Sequence, residues 1–192
     1  MKTTSRYLIS LSSLLLLLVY FFPLWSISLE APQYPQGIKM YIWVNQITGQ
    51  DESTIQNINI LNHYIGMKYI EPDSIPELTY FPWVIACLIG TGLLVALLKN
   101  SKVAFAWVVI LTLLSVVGLY DFYLWEYDYG HNLNPEAPIK VEGQVYQPPF
   151  IGSKMLLNFN ATSWPHIGGI ALFLSVILGN LIWFTELRKK KA

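Results

Sequence analysis

Residues 81–125 read FPWVIACLIGTGLLVALLKNSKVAFAWVVILTLLSVVGLYDFYLW, two long apolar runs separated by the polar residues KNSK. A helix needs about 20 mainly apolar residues to cross the hydrocarbon core of a bilayer. The runs 81–98 and 103–125 both have suitable lengths, and the short segment between them suits a tight turn. The stretch therefore predicts a transmembrane helical hairpin, and this hairpin sets the fold class.

Two further apolar runs, 7–29 and 166–187, bring the predicted spans to four. The chain is 54% hydrophobic and only 12% charged, whereas an average chain is about 25% charged, so a soluble domain of this size is excluded. The first run is longer than the core of a secretory signal, and no small-residue cleavage site follows it. We therefore expect it to be retained as an anchor.

Composition also narrows the class of function. The formal net charge is zero, so the chain lacks the basic surface that nucleic-acid binding requires. A single cysteine, Cys87, lies inside an apolar run, which excludes an intrachain disulfide. The sequence contains no nucleophile motif of a hydrolase, no phosphate-binding loop, and no HExxH or CxxC motif. We therefore expect a protein that is not an enzyme.

The placement of lysine and arginine predicts the orientation, because cytoplasmic segments are enriched in these residues. The long segments 30–80 and 126–165 hold four lysines and no arginine, and six of the seven tryptophans lie near the ends of predicted spans. We expect both termini in the cytoplasm and both long segments outside, in a multi-pass protein of the bacterial inner membrane. The other basic residues lie at the termini and in the KNSK turn: Lys2, Arg6, Lys99, Lys102, Arg188, Lys189, Lys190 and Lys191.

The two outer segments carry weaker patterns. IKMYIWV, residues 38–44, alternates in the manner of a strand. Residues 53–65 have one apolar helical face, and Gly66 is a natural helix stop. Residues 126–138 are rich in turn formers. We expect an all-α membrane protein, a single domain over 1–192 with four transmembrane helices, whose outer loops 30–80 and 126–165 form a small mixed cap.

The outer segments also hold a set of soft metal donors. Imidazole and thioether groups suit copper, and thioether suits Cu(I) in particular. The alternative is ordinary packing, in which the methionines fill the core and the histidines bond to loop carbonyls. Haem is disfavoured because the predicted spans contain no deep histidine. The candidate copper ligands are His63, Met67, Met40, His131 and Met155, with His166 at the membrane surface.

Two acidic residues near the outer end of the third span are further candidates. Asp121 is the one acidic residue clearly inside a predicted span, and ionisable groups at membrane depth are functional suspects. It lies about one turn before Trp125, so contact with water or an interfacial partner is the alternative explanation. Asp128 follows at the start of the second outer loop.

Several long motifs resemble a family of small polytopic membrane proteins encoded among the accessory genes for nitrous oxide reductase. The resemblance covers about residues 30–169 and implies a role in assembling, supplying or supporting an extracytoplasmic copper enzyme. It carries no ligand or catalytic residues to this chain. The motifs are EAPQYPQGIKMYIW, NINILNHYIGM, DFYLWEYDYGHNLNP, IKVEGQVYQPPFIGSKMLLNF and SWPHIGG.

Two functions therefore stand as expectations. The first is an accessory factor, embedded in membrane lipid, for maturation of a periplasmic copper enzyme or for delivery of copper or electrons to it. The second is a scaffold that docks a protein partner of the periplasm or inner membrane through its outer loops without metal. A third class, a component of a quinol or haem electron chain, is weakened by the absence of deep histidines.

Overall fold

The structure is a computed structural model that describes residues 1–187. Its helices are α1 (Thr3–Leu15), extended by a 3-10 segment (Leu16–Tyr20), then α2 (Thr54–Ile65), a 3-10 turn (Pro72–Ser74), α3 (Glu77–Leu98), α4 (Ser101–His131) and α5 (Ile167–Leu187). Its strands are β1 (Trp25–Ala31), β2 (Tyr34–Ile42), β3 (Ile47–Gly49), β4 (Gly152–Leu156) and β5 (Phe159–Pro165). They form one antiparallel sheet in the order β3-β2-β1-β5-β4.

The expected all-α class is wrong, because the chain is mixed α and β. The first span was predicted to run to residue 29, but helical structure ends at Tyr20 and residues 25–29 belong to β1. Their apolar side chains sit at alternate positions, Trp25, Ile27 and Leu29, which is the strand period. The continuous apolar run concealed this change of period. The strand expected at 38–44 is confirmed over 38–42 in β2, which begins earlier, at Tyr34, and ends at Ile42.

Four helices are long and apolar enough to cross a membrane: α1 with its 3-10 extension, α3, α4 and α5. This is the architecture of a multi-pass membrane protein. Their outward faces are apolar, as lipid contact requires, with Leu97, Leu113 and Val116 all exposed. The basic residues 188–191, which support the predicted orientation, lie outside the described part of the chain.

Helix α4 is longer than a bilayer needs. Its 31 residues extend about 46 Å at about 1.5 Å per residue, whereas the hydrocarbon core is about 30 Å thick. We take residues 103–125 as the membrane-spanning part. The last turns, residues 126–131, project beyond it, and one face of them, formed by Glu126, Tyr129 and Gly130, is buried.

Small and hydroxyl side chains join the helices inside the membrane. The Ser12 and Ser175 hydroxyls each donate to the other residue's carbonyl at 2.8 Å, which ties α1 to α5. A Cβ atom at Gly92 would lie only 2.0 Å from the Ser13 hydroxyl oxygen, so α1 approaches α3 closely there. At the end of the bundle opposite the sheet, the buried Glu186 accepts hydrogen bonds from the Lys2 backbone N–H and from two serine hydroxyls.

The sheet and α2 form a cap at the other end of the bundle. Strand β1 pairs with both β2 and β5, and β5 leads directly into α5. The helix α2 packs against β2 and β3. Trp25 belongs to the first predicted span in the sequence, but in the structure it is 4% exposed in the cap core and its indole N–H donates to the Ser163 hydroxyl at 2.7 Å. The cap core also contains Ile27, Ile38, Met40, Ile47, Ile58, Ile70 and Tyr129.

Candidate functional site

A cavity of about 220 Å³ lies inside the cap, and we call it the cap cavity. The strands β1 and β2, the helix α2, the projecting end of α4 and the loop before β4 all contribute to its wall. Most of the wall is apolar. The lining residues include two methionines, Met40 and Met67, and three residues with polar groups, Trp125, Glu126 and Tyr146.

Glu126 is the one carboxylic acid that lines the cap cavity among the described residues. It is 1% exposed, and neither carboxyl oxygen has a hydrogen-bond partner within residues 1–187. Burial raises the pKa of this carboxyl to about 8, because the charged form loses its hydration. At neutral pH the group is therefore mainly protonated, and it can both donate and accept a hydrogen bond.

Two more polar groups on the cavity wall are buried without a hydrogen-bond partner among residues 1–187. The Tyr146 hydroxyl and the Trp125 indole N–H are buried, and neither finds a partner in the described part of the chain. The backbone holds Tyr146 in place, since its N–H donates to the Gly130 carbonyl at 3.0 Å. Gly130 is needed for this approach, because a Cβ there would lie 2.4 Å from the Gln147 backbone.

Three buried polar groups without partners on one cavity wall are unusual, since nearly all such groups in native proteins are hydrogen-bonded. A buried hydroxyl or amide left without a partner costs about 1–3 kcal/mol. Bound water or a ligand in the cavity would satisfy these groups. This concentration of polar groups without partners makes the cap cavity the candidate site.

Two of the predicted copper donors lie on this cavity. Met40 is 3% exposed on β2. The predicted helix stop at Gly66 is confirmed, because α2 ends at Ile65 and Gly66 has a φ of 81°. The chain then turns back, and the Met67 N–H donates to the Asn62 carbonyl at 2.9 Å. This turn places Met67 against the cap core, on the cavity wall.

The other predicted donors lie elsewhere. His63 is exposed, and its Nδ1 is 3.2 Å from the Tyr69 hydroxyl. His131 is exposed and stacks on Tyr127 at a ring separation of 3.8 Å. Met155 is 67% exposed on β4. The structure therefore brings Met40 and Met67 to one cavity and leaves the remaining three on the cap surface.

His166, proposed at the membrane surface, begins the connection into α5. Its backbone N–H donates to the Leu24 carbonyl at 2.9 Å, and its ring meets Tyr41 edge-on at 5.6 Å. It does not line the cap cavity. Within residues 1–187, no three His, Cys, Asp or Glu side chains are grouped closely enough to hold a metal ion.

The two acidic candidates occupy different environments. Asp128 pairs with Lys68 at 2.5 Å on the cap surface, where both side chains are nearly half exposed. The hydrogen bond from Lys68 lowers the pKa of this aspartate, which is the behaviour of a surface ion pair. Asp121 lies in the membrane-spanning part of α4 and lines a separate cavity between α3 and α4.

Glu126 and Tyr146 were not predicted from the sequence as site residues. Treating residues 126–165 as a loop placed Glu126 in solvent, whereas α4 continues to His131. The sequence feature that could have identified Glu126 is its spacing from Tyr129 and Gly130, which puts all three on one face of a helix. All three are buried against the cap. Tyr146 carried no comparable signal, because a tertiary contact alone buries it.

No protein-family model matches the chain, and no curated protein matches it. The cavity combines two thioether side chains, one buried carboxyl and the polar groups of Trp125 and Tyr146 in a mainly apolar space. Such a site can bind a soft cation, or a small ligand that carries one or two polar atoms.

Proposed function

We propose that the protein is a non-enzymatic accessory factor of the bacterial inner membrane. In this proposal it supports maturation of a periplasmic copper enzyme of the nitrous oxide reductase type and transiently holds Cu(I) in the cap cavity. The observation that supports this form is that Met40 and Met67 line the same buried cavity as Glu126. The distribution of lysine and arginine supports a cap outside the membrane, in the compartment of such an enzyme.

The donor chemistry fits a cation that is held and then released. Thioether sulfur prefers Cu(I) over harder divalent ions. A protonated carboxyl is neutral and does not repel a cation. When the proton leaves, the negative carboxylate attracts the cation. Two neutral donors and one titratable acid make a site whose affinity depends on pH. Such a site is suited to passing copper to a partner.

Cu(I) titration against a chromogenic chelator under anaerobic conditions tests this proposal. We expect one copper per purified chain. In Met40→Leu and Met67→Leu, which nearly conserve side-chain volume, we expect affinity to fall by about tenfold or more. Met155→Leu is the matched control, since this methionine is exposed and lies away from the cavity.

The pH dependence gives a second readout. Below pH 8 a proton competes with copper for Glu126, so affinity should rise by up to about tenfold per pH unit as the pH approaches the pKa of about 8. In Glu126→Gln this dependence should disappear. Binding no stronger than the detergent blank would contradict the copper form of the proposal. So would equal affinity in all three methionine variants.

The cap surface favours docking of a partner as a second candidate function. Two histidine–aromatic pairs, His63 with Tyr69 and His131 with Tyr127, stand exposed there. Aromatic side chains with polar edges are enriched at protein interfaces. With purified nitrous oxide reductase as the probe, Tyr127→Ala should weaken binding to the cap while Cu(I) affinity stays at the wild-type value. No binding of this enzyme by the wild-type chain would count against docking to it.

A further inference from the structure

A second, larger cavity of about 560 Å³ lies between the outer halves of α3 and α4, and we call it the membrane cavity. The strands β1 and β2 contribute Trp25 and Ile42, and α5 contributes Phe173. Its volume falls within the range of about 300–1,000 Å³ that is usual for small-molecule sites. Its wall contains an unusual number of aromatic side chains: Trp25, Trp43, Tyr80, Phe81, Phe122, Trp125 and Phe173.

Most of this cavity lies at the depth of lipid rather than water. The residues of α3 and α4 that line it, such as Val84, Leu88 and Leu114, belong to the apolar spans. An apolar space at this depth is not a favourable place for water. Its occupant must therefore offer apolar surface, as an isoprenoid or acyl chain does.

The polar part of the wall is acidic. Asp121 and Glu77 both line the cavity. Glu77 accepts a hydrogen bond from the Tyr80 hydroxyl at 3.1 Å. Asp121 has neither a hydrogen bond nor an ion pair within the described chain. An ionisable residue in a spanning helix without a partner indicates a functional contact.

The negative charge of the cavity wall favours a ligand with a neutral head group. No lysine, arginine or histidine of the described chain lines the cavity. Two carboxyl groups without a nearby cation would repel the phosphate of an anionic phospholipid head group. A neutral ring with hydroxyl or carbonyl oxygens avoids this repulsion. Such a ring also packs well against aromatic side chains.

We infer that the membrane cavity binds an isoprenoid quinone or quinol. The ring lies among the aromatic side chains, one ring oxygen hydrogen-bonds to the Asp121 carboxyl group, and the chain extends along α3 and α4 into the bilayer. A carboxyl group serves both redox forms, because it accepts from a quinol hydroxyl when ionised and donates to a quinone carbonyl when protonated. This inference is independent of copper binding in the cap.

Two glycines offer a matched pair of variants. Gly118 lines the membrane cavity, and a Cβ built on it meets no atom within 4 Å. A leucine at position 118 would therefore begin in open space, and its side chain would take up room in the cavity. Gly90 in α3 is equally open but does not line the cavity, so Gly90→Leu changes the same chemistry on the lipid-facing surface.

The experiment titrates the purified full-length protein in detergent with decylubiquinone and, anaerobically, with decylubiquinol. Quenching of tryptophan fluorescence reports occupancy, because Trp25, Trp43 and Trp125 line the cavity. We expect saturable quenching of the wild type and of Gly90→Leu. We expect affinity to fall by about tenfold or more in two variants. Gly118→Leu fills space that the ligand needs, and Asp121→Leu removes the carboxyl group that hydrogen-bonds to the ring.

Three results would overturn the inference. The first is the absence of saturable quenching in the wild type, and the second is equal affinity in Gly118→Leu and Gly90→Leu. The third is full displacement of decylubiquinone by phosphatidylethanolamine at comparable concentration, which would identify the cavity as a phospholipid site. A wild-type thermal midpoint for Gly118→Leu confirms that its loss of binding is not caused by unfolding.

Discussion

Replacing Glu126 by glutamine should remove most of the pH dependence of cap stability. The side chain is 1% exposed and lacks a hydrogen-bond partner within residues 1–187. Its carboxyl therefore resists ionisation in the folded protein, but not in the unfolded chain. Glutamine keeps the size and shape of the side chain and cannot ionise.

The magnitude follows from the two pKa values of Glu126. Folding raises the pKa from 4.5 to about 8. The folded state thus binds more protons than the unfolded state between these values, so stability falls as the pH rises from 4.5 towards 8. The full difference corresponds to about 5 kcal/mol, at about 1.4 kcal/mol per pKa unit. Above pH 8 this loss of stability is complete, and below pH 4.5 the stability is not reduced by Glu126.

Thermal unfolding in a mild detergent, followed by tryptophan fluorescence between about pH 5 and pH 9, measures this effect. The wild-type midpoint should fall across the range, and the Glu126→Gln midpoint should fall much less. Glu142→Gln is the matched control, because Glu142 is exposed in the loop before β4. A Glu126→Gln variant with the full wild-type slope would refute the argument that burial of this carboxyl controls stability.

Three further predictions concern packing, orientation and surface charge. Gly92→Ala should destabilise the bundle by about 1–3 kcal/mol, because the new Cβ would lie 2.0 Å from the Ser13 hydroxyl oxygen; a lower unfolding midpoint in an SDS titration would show it. Met155→Cys, made without the one native cysteine, should react with a membrane-impermeant maleimide in intact spheroplasts; no reaction would contradict an outward cap. Lys68→Ala should cost less than about 1 kcal/mol in a denaturant titration, because its ion pair with Asp128 is exposed.

The predictions from the sequence agree best with the structure for features that depend on one local property of the chain. Bilayer thickness sets the length of a spanning helix, so α3 and the membrane part of α4 were predicted from apolar run length alone. Gly66 likewise ends α2 for a local reason, since its φ of 81° suits glycine best. Neither feature depends on distant parts of the chain.

The predictions failed where a segment obtains its structure from a distant partner. The apolar run 7–29 contains both the end of a helix and most of β1, and hydrophobicity does not distinguish the two. Strand β1 pairs with β5, where Ser28 opposes Thr162, and this partner is far away in sequence. The pairing satisfies the backbone hydrogen bonds of residues 25–29 outside the helix.

The sequence by itself predicted four helices apolar enough to cross a membrane, although not where the first one ends, and it placed the acidic residue Asp121 inside one of them. It also supplied the methionines and histidines, but not their grouping. Only the tertiary structure decided that Met40 and Met67 meet Glu126 on one cavity, whereas His63 stays exposed. The physical reason is that composition and period determine local structure, whereas burial of a polar group depends on which distant surfaces close around it.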